Sequence, residues 1–488
     1  MSIDLTKREV EIREVRLGAI TGYQGTVAEL TAQADTGSLC NRERAFSQTS
    51  CCSSGCAHTI LALVQRSLVV NHAPLGCIAD TAYSNITNHW NQHHRGESYT
   101  NVPVISTNLD EHDIVFGGAD KLRSTLREAY RHYTPQAIFV TTSCASGIIG
   151  EDVQGVIDEM AAEIPVPIAP VFCDGFRSRV WASGFDAAYH AILTKIVQPA
   201  HELHPERINV INFWGREKKQ IGRLFARLGL VPHFIISFTT IEELSHISEA
   251  GATVMNCQTL GSYLGAGLQE HFGVPLVQSL PPHGIAGIEN WLRELGKVVG
   301  KEEEVEIVLA EERAAIQPEL DALREKLQGK RVYLAMGPGF GHGFMGALQE
   351  LGLDIVMATS WHYDQKHDHG GCPVATQKLA CQQQGIPYSV NDHQNYEIIA
   401  LLRDIQPDLY ITRHVGTAVW AAKMGIPAMA VLDEYAAFGY RGLLSFGHRL
   451  LDTLANRAFA MRLASRVQLP YTAWWQQQQP FTFLEGTH

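Results

Sequence analysis

The chain has 488 residues, which at roughly 100–200 residues per domain predicts about three domains. Hydrophobic residues make up 45% and charged residues 18%, a balance that excludes a disordered or low-complexity protein. Lysine plus arginine is 39 against 51 acidic residues, and the net charge of −12 argues against nucleic acid or an anionic membrane as main partner.

In chain order, the amino terminus MSIDLTKREVEIREVRLG lacks an apolar h-region, and no run of about 18 apolar residues follows anywhere. A cytoplasmic location without a membrane span is therefore expected, and in that reducing compartment the ten cysteines are not read as disulfides. Residues 1–50 show no clear periodicity. The small-residue segment SQTSCCSSGCAHT then opens a helix at HTILALVQRSL. SLVVNHAPLGC (67–77) reads as a strand and its loop, and QAIFVTTSC (136–144) as a strand before the amphipathic EDVQGVIDEMAAEI. RINVINFWG (207–215) precedes KKQIGRLFARLGL, and ATVMNC (252–257) precedes a helix start. The charged stretch 296–330 has a helical pattern and connects to RVYLAMGPG (331–339), FMGALQELGL and the βαβ pattern of 407–432. The tail after 465 is aperiodic.

Short β-rich runs alternating with helices of about 10–15 residues predict an α/β protein with parallel sheets covered on both faces. The expectation is three Rossmann-like or flavodoxin-like domains, divided at 1–204, 205–330 and 331–488.

The cysteines fall at strand ends and helix starts. Cys51, Cys52 and Cys56 crowd one such segment, Cys77 and Cys144 close strands, and Cys257 ends ATVMNC. Backbone N–H groups and the helix dipole favour thiolates at such positions, and a thiolate is what ligates iron or zinc. No CxxC pair of zinc-ribbon spacing occurs, so single cysteines from distant segments would have to assemble one cluster. Two histidine-rich stretches, with His89, His93 and His94 and with His362, His367, His369 and Cys372, match no common zinc spacing and read as solvated or substrate-facing loops. GPGFGHG (337–343) resembles a phosphate cradle but lacks GxGxxG spacing and a Lys-Ser/Thr ending, so it reads as a tight turn with room above it.

The succession VNHAPLGC (70–77), NLDEHDIVFGGADKL (108–122), TTSCASGIIGEDVQGV (141–156) and VFCDGFRS (171–178) resembles the nitrogenase component 1 family, and more narrowly its α-type, or D, subunit. MNCQTLGSYLGAGLQEHFGVPLV (255–277) resembles the segment that binds the active-site cofactor, and the resemblance spans about residues 45–450. It implies Cys51, or the adjacent Cys52, with Cys77 and Cys144 as ligands of a P-type [8Fe-7S] cluster shared with a β-type (K) partner. It implies Cys257 as ligand of the active-site iron–sulfur cluster. Cys40, Cys56, Cys173, Cys372 and Cys381 are left structural.

The departures from the family are concentrated on the cofactor side. Leu432, flanked by Asp433 and Glu434, stands where the family has its cofactor-binding histidine, and Trp181 and Phe185 stand near its glutamine and histidine positions. Asn85 replaces an arginine, and glycines including Gly341 replace the arginines of the loop over the cofactor. Loss of these groups argues against homocitrate and dinitrogen and for a roomier apolar pocket lined by Trp181, Phe185, Asn85 and Gly341. Among relatives this fits the methylthio-alkane reductases, which cleave C–S bonds with electrons from an ATP-dependent homodimeric iron protein. An α2β2 heterotetramer, an iron-only [8Fe-9S-C]-like cofactor and a small thioether substrate follow. His362, His367, His369 and Glu434 are the catalytic candidates, as proton donors or second ligands. A maturation scaffold of the E type, whose C-terminal motif FGYRG resembles, is the alternative, followed by a nitrogenase α subunit. An ordinary flavodoxin-like nucleotide binder would leave the cysteines unexplained.

Overall fold

The computed structural model describes residues 3–48, 52–79, 81–95, 98–213, 217–237, 239–368, 385–392, 394–431 and 437–486. Runs of aliphatic and β-branched residues build its sheets. An early strand, β1 (Gly22–Thr26), is followed by β2 (Ser67–His72), β3 (Val104–Ser106), β4 (Ala137–Thr142) and β5 (Ile168–Val171), which form one parallel sheet in the order β3-β2-β4-β5. Every residue of β2 and β4 is buried, as a sheet covered on both faces requires. β6 (His204–Phe213), β7 (Val231–Ile236) and β8 (Ala250–Met255) form a second parallel sheet, β7-β6-β8. The third combines β9 (Arg331–Met336), β10 (Asp354–Ser360), β11 (Pro387–Asn391), β12 (Leu409–Thr412) and β13 (Ala428–Ala430) in the order β1-β11-β10-β9-β12-β13. The expected α/β class with three parallel-sheet units is what the chain adopts.

Three local expectations change. β1, taken with the first unit, instead pairs antiparallel with β11 at the edge of the third sheet, Gly22 opposite Asn391. Its sequence GYQGT alternates too weakly to be legible, and an edge strand needs only one ladder. The glycine stretch after β9 is not a loop: the helix Pro338–Glu350 starts within it, with Gly337 as N-cap. Proline at the first helical position is pre-set for that φ and loses no needed donor. The charged connector is two helices, Gly284–Val299 and Glu302–Leu327, separated at Gly300, whose φ of 67° closes the first of them.

The aperiodic amino-terminal segment is a strap rather than a tail. It runs through a short helix, Arg13–Arg16, then β1, then the helix Val27–Asp35, which Thr26 and Glu29 cap reciprocally. Arg13 is fully buried and reaches both Asp186, on the helix Ser183–Lys195 of the first unit, and Asp364, beyond β10 of the third. No helix among the described residues is long and apolar enough to cross a membrane.

Two candidate metallocluster sites

Cys52, Cys77 and Cys144 come together at the carboxyl end of the first sheet. Cys77 lies in the 3-10 turn Leu75–Ile78 just after β2. Ser143 caps the helix Cys144–Ile148, which puts Cys144 at its first position, and Cys52 is the N-cap of the helix Ser53–Leu61. That helix begins earlier than the sequence pattern suggests. A Cβ added at Gly175 would sit 2.6 Å from Cys52 Sγ and 3.2 Å from Cys144 Sγ, so glycine leaves the space between the thiols clear. The backbone N–H groups of Phe176 and Gly175 donate to Cys144. Burial raises the Cys77 and Cys144 thiols, and the nearby Cys52 charge raises both further. Three thiolates that disfavour one another are a donor set for a cationic centre. Among the described residues no three His, Cys, Asp or Glu side chains are grouped as a single-ion site.

This first site is open. Cys52 and Cys77 are exposed, and around them Leu75, Ile148 and Phe176 are 60%, 70% and 79% exposed. Cys51 lies outside the described residues, so Cys52 is the member of that pair seen beside Cys144. Cys173 is buried, its thiol donating to the Thr142 carbonyl at 3.4 Å, and burial pushes it up to about 12, as a structural thiol should be.

The second site is closed. Cys257 is 2% exposed and caps the helix Gln258–Phe272 directly after β8. Burial pushes its thiol up to about 11, against the N–H groups of Leu260 and Thr259 and the guanidinium groups of Arg413 and Arg13. A Cβ at Gly339 would lie 2.7 Å from Cys257 Sγ and 2.8 Å from Thr259 Oγ1. The helix that starts in the glycine stretch thus brings its N-terminus over the thiol, opposite the N-terminus that Cys257 itself caps. Two positive helix ends and two arginines suit an anionic, sulfide-rich group. Gly339, not Gly341, is the glycine that clears this space, since Gly341 faces the Met336 Cβ at 3.7 Å.

Trp181 and Phe185 pack edge-on with centroids 6.0 Å apart, and Trp181 meets the His362 ring edge-on at 5.5 Å. His362 is fully buried, with Nε2 3.4 Å from Asp364 Oδ2. His367 is buried on the other side of the same carboxylate, whose charge it shares. His342, from the glycine stretch, approaches Tyr388 Oη at 3.0 Å, and burial pushes it down to about 4. Asn85 accepts from the Val102 N–H at 2.8 Å, a tie within the first unit. His369, Glu434, Leu432, Asp433, Cys372 and Cys381 lie outside the described residues. His89 and His93, on the helix Thr81–Arg95, contact Asn101 and Tyr99. Sequence reasoning missed Arg13, Asp186, Asp364, Arg413 and Gly339. Only Gly339 left a signal, as one glycine among four in a short run.

Three largely parallel sheets, a thiol triad at the surface and an enclosed thiol under two helix N-termini define an α/β chain with two cysteine sites at strand ends. The model of the nitrogenase component 1 type oxidoreductases matches residues 51–455, and the chain belongs to this family. It is 28% identical over 359 residues to the nitrogenase molybdenum-iron protein alpha chain of Clostridium pasteurianum, covering 72% of this chain and 67% of that one. It is 27% identical over 425 residues to the nitrogenase iron-molybdenum cofactor biosynthesis protein NifE of Methanococcus maripaludis, covering 82% of each. The solved structure of nitrogenase Cp1 at pH 6.5 superposes with a TM-score of 0.71 at 21% identity, over 88% of this chain and 93% of that one, a likeness of fold.

Proposed function

We propose that this chain is the catalytic D subunit of a nitrogenase-like reductase that cleaves the C–S bond of methylthio-alkanes such as dimethyl sulfide. Two observations support the reading: Cys257 is enclosed under Gly339, and Trp181 and Phe185, read as lining the substrate pocket, pack on each other. A P-type [8Fe-7S] cluster would be held by Cys52, Cys77 and Cys144 together with a β-type partner, and an iron-only [8Fe-9S-C]-like cluster by Cys257. When bound, that second cluster supplies low-potential electrons and an iron–sulfur face for the substrate sulfur. The chain's own residues hold the thiolate in place, exclude water and deliver protons. His362 and His367 are the described candidates for the last task; His369 and Glu434 are further ones. The reaction is R–S–CH3 plus two electrons and two protons giving R–H and CH3SH, with electrons from an ATP-hydrolysing iron protein. The working division remains 1–204, 205–330 and 331–488, with β1 lent to the third unit. The assembly is α2β2.

Purified complex with its iron protein, ATP and dimethyl sulfide should release methane and methanethiol in equal amounts, measured by gas chromatography. A second reading, a maturation scaffold, is favoured by the likeness to NifE over 82% of the chain. No methane from dimethyl sulfide, combined with transfer of the bound cluster to a cluster-free nitrogenase, would establish that reading instead.

A further inference from the structure

Thr259 is 5% exposed and is the second residue of the helix Gln258–Phe272. Its backbone N–H donates to the Cys257 sulfur, which sets the residue directly against that thiol. Its hydroxyl faces the same space as the sulfur: a Cβ at Gly339 would lie 2.8 Å from Thr259 Oγ1 and 2.7 Å from Cys257 Sγ. Threonine hydroxyls elsewhere in this chain are used locally. Thr26 and Thr240 cap helices, while Thr31 and Thr194 donate to carbonyls one turn earlier. Thr259 does neither, and among the described residues its Oγ1 makes no hydrogen bond. A buried hydroxyl left without a partner costs free energy, so its place beside a thiol calls for an explanation.

The other groups that face the Cys257 sulfur are the N–H groups of Leu260 and Thr259 and the guanidinium groups of Arg413 and Arg13. All of them are donors or cations. A hydroxyl can turn its single hydrogen either way, and in this company the acceptor is sulfur. We propose that the Thr259 hydroxyl donates to sulfur of the cluster bound at Cys257, either the thiolate or an adjacent sulfide, and thereby raises the cluster's reduction potential. This rests on the reading that Cys257 holds an iron–sulfur cluster, not on which substrate the cluster reduces. Reduction makes the sulfurs more negative, so a donor stabilises the reduced state more than the oxidised one. In an enclosed site of low dielectric that preference is larger than at a surface. Gly339 belongs to the same device, because any side chain there would enter the space that hydroxyl and sulfur share.

The test separates the hydroxyl from the shape that carries it. Thr259→Val keeps the branched shape and removes the donor, whereas Thr259→Ser keeps the donor and removes the methyl group. The purified complex is titrated with reductant, following the EPR signal that Cys257→Ala abolishes. Thr259→Val should lower the ratio of reduced to oxidised cluster at a fixed potential about tenfold, which is about 59 mV for a one-electron couple. It should also remove an exchangeable-proton coupling, seen by ENDOR in H2O against D2O. Thr259→Ser should leave both near the parent's. Unmoved midpoints in both variants, equal shifts in both, or a shift confined to Thr259→Ser would overturn the proposal and leave Thr259 a packing residue. If Cys257→Ala changes neither the iron content nor the EPR spectrum, the cluster assignment fails and the proposal falls with it. A parent complex that forms no methane from dimethyl sulfide loses the reductase reading alone, since the midpoints are read without substrate.

Discussion

The two thiol sites are made of the same parts and finished differently. In both, a strand end and a helix N-terminus present cysteine, and a glycine keeps the space beside sulfur clear, Gly175 in one and Gly339 in the other. The first was left open, with Cys52 and Cys77 exposed inside an apolar rim. The second is sealed, with Cys257 2% exposed and residues of all three units converging on it. The difference teaches that access here is set by what packs over the cysteine, not by the local motif. A surface patch of this kind suits a protein partner. A sealed chamber suits chemistry that water would spoil.

Substitutions should separate the two sites in graded fashion. Cys257→Ala should abolish the paramagnetic signal of the enclosed cluster while leaving the iron of the open site, measured by metal analysis and EPR; unchanged iron would end that assignment. Cys77→Ala should reverse the pattern, losing the open cluster and weakening capture of the β-type partner. Because Cys77 is exposed, the thermal unfolding of this chain should hardly move. Arg13→Met leaves the buried Asp186 with Arg16 alone and takes from buried Asp364 its guanidinium partner, and should cost about 3–5 kcal/mol, read as a lowered denaturant midpoint. An equal loss from truncating the exposed Arg131 would mean that burial is not what distinguishes the strap.

The smallest effect concerns pH. His342 in the folded chain is held down to about 4 from 6.5, chiefly by burial, so between those values the unfolded chain binds more protons. Stability is therefore fully present above pH 6.5 and declines as pH falls toward about 4. The slope from this one group is about 1 kcal/mol per pH unit at most. His342→Gln should flatten that part of the urea-midpoint profile, and an unchanged slope would assign it to other groups such as His283.

Much of this was legible beforehand, and the reason is local. Strands as apolar as AIFVTT announce a sheet buried on both faces, and cysteines at their ends announce loops facing a ligand. What stayed hidden depends on partners far apart in sequence. Arg13 looks like any residue of an exposed charged helix until Asp186 and Asp364 close around it, 173 and 351 positions away. The glycine stretch announced open space but not which glycine faces Cys257, because that depends on the helix beginning at Pro338. Spacing favours Cys51 with Cys52 as its neighbour, and that Cys52 is the N-cap of the helix Ser53–Leu61 is a backbone fact no spacing shows.

The antiparallel edge strand β1 imposes a timetable. Gly22 is made about 370 residues before its partner Asn391. At ribosomal rates of about 5–20 residues per second, the strand waits roughly 20–70 s without its ladder. The Arg13 strap, only a few residues ahead of it, waits about 350 residues for Asp364. Gly339, which stands against the Cys257 thiol, is likewise made about 80 residues after it, which gives a nascent chain an interval in which that thiol is still reachable from outside.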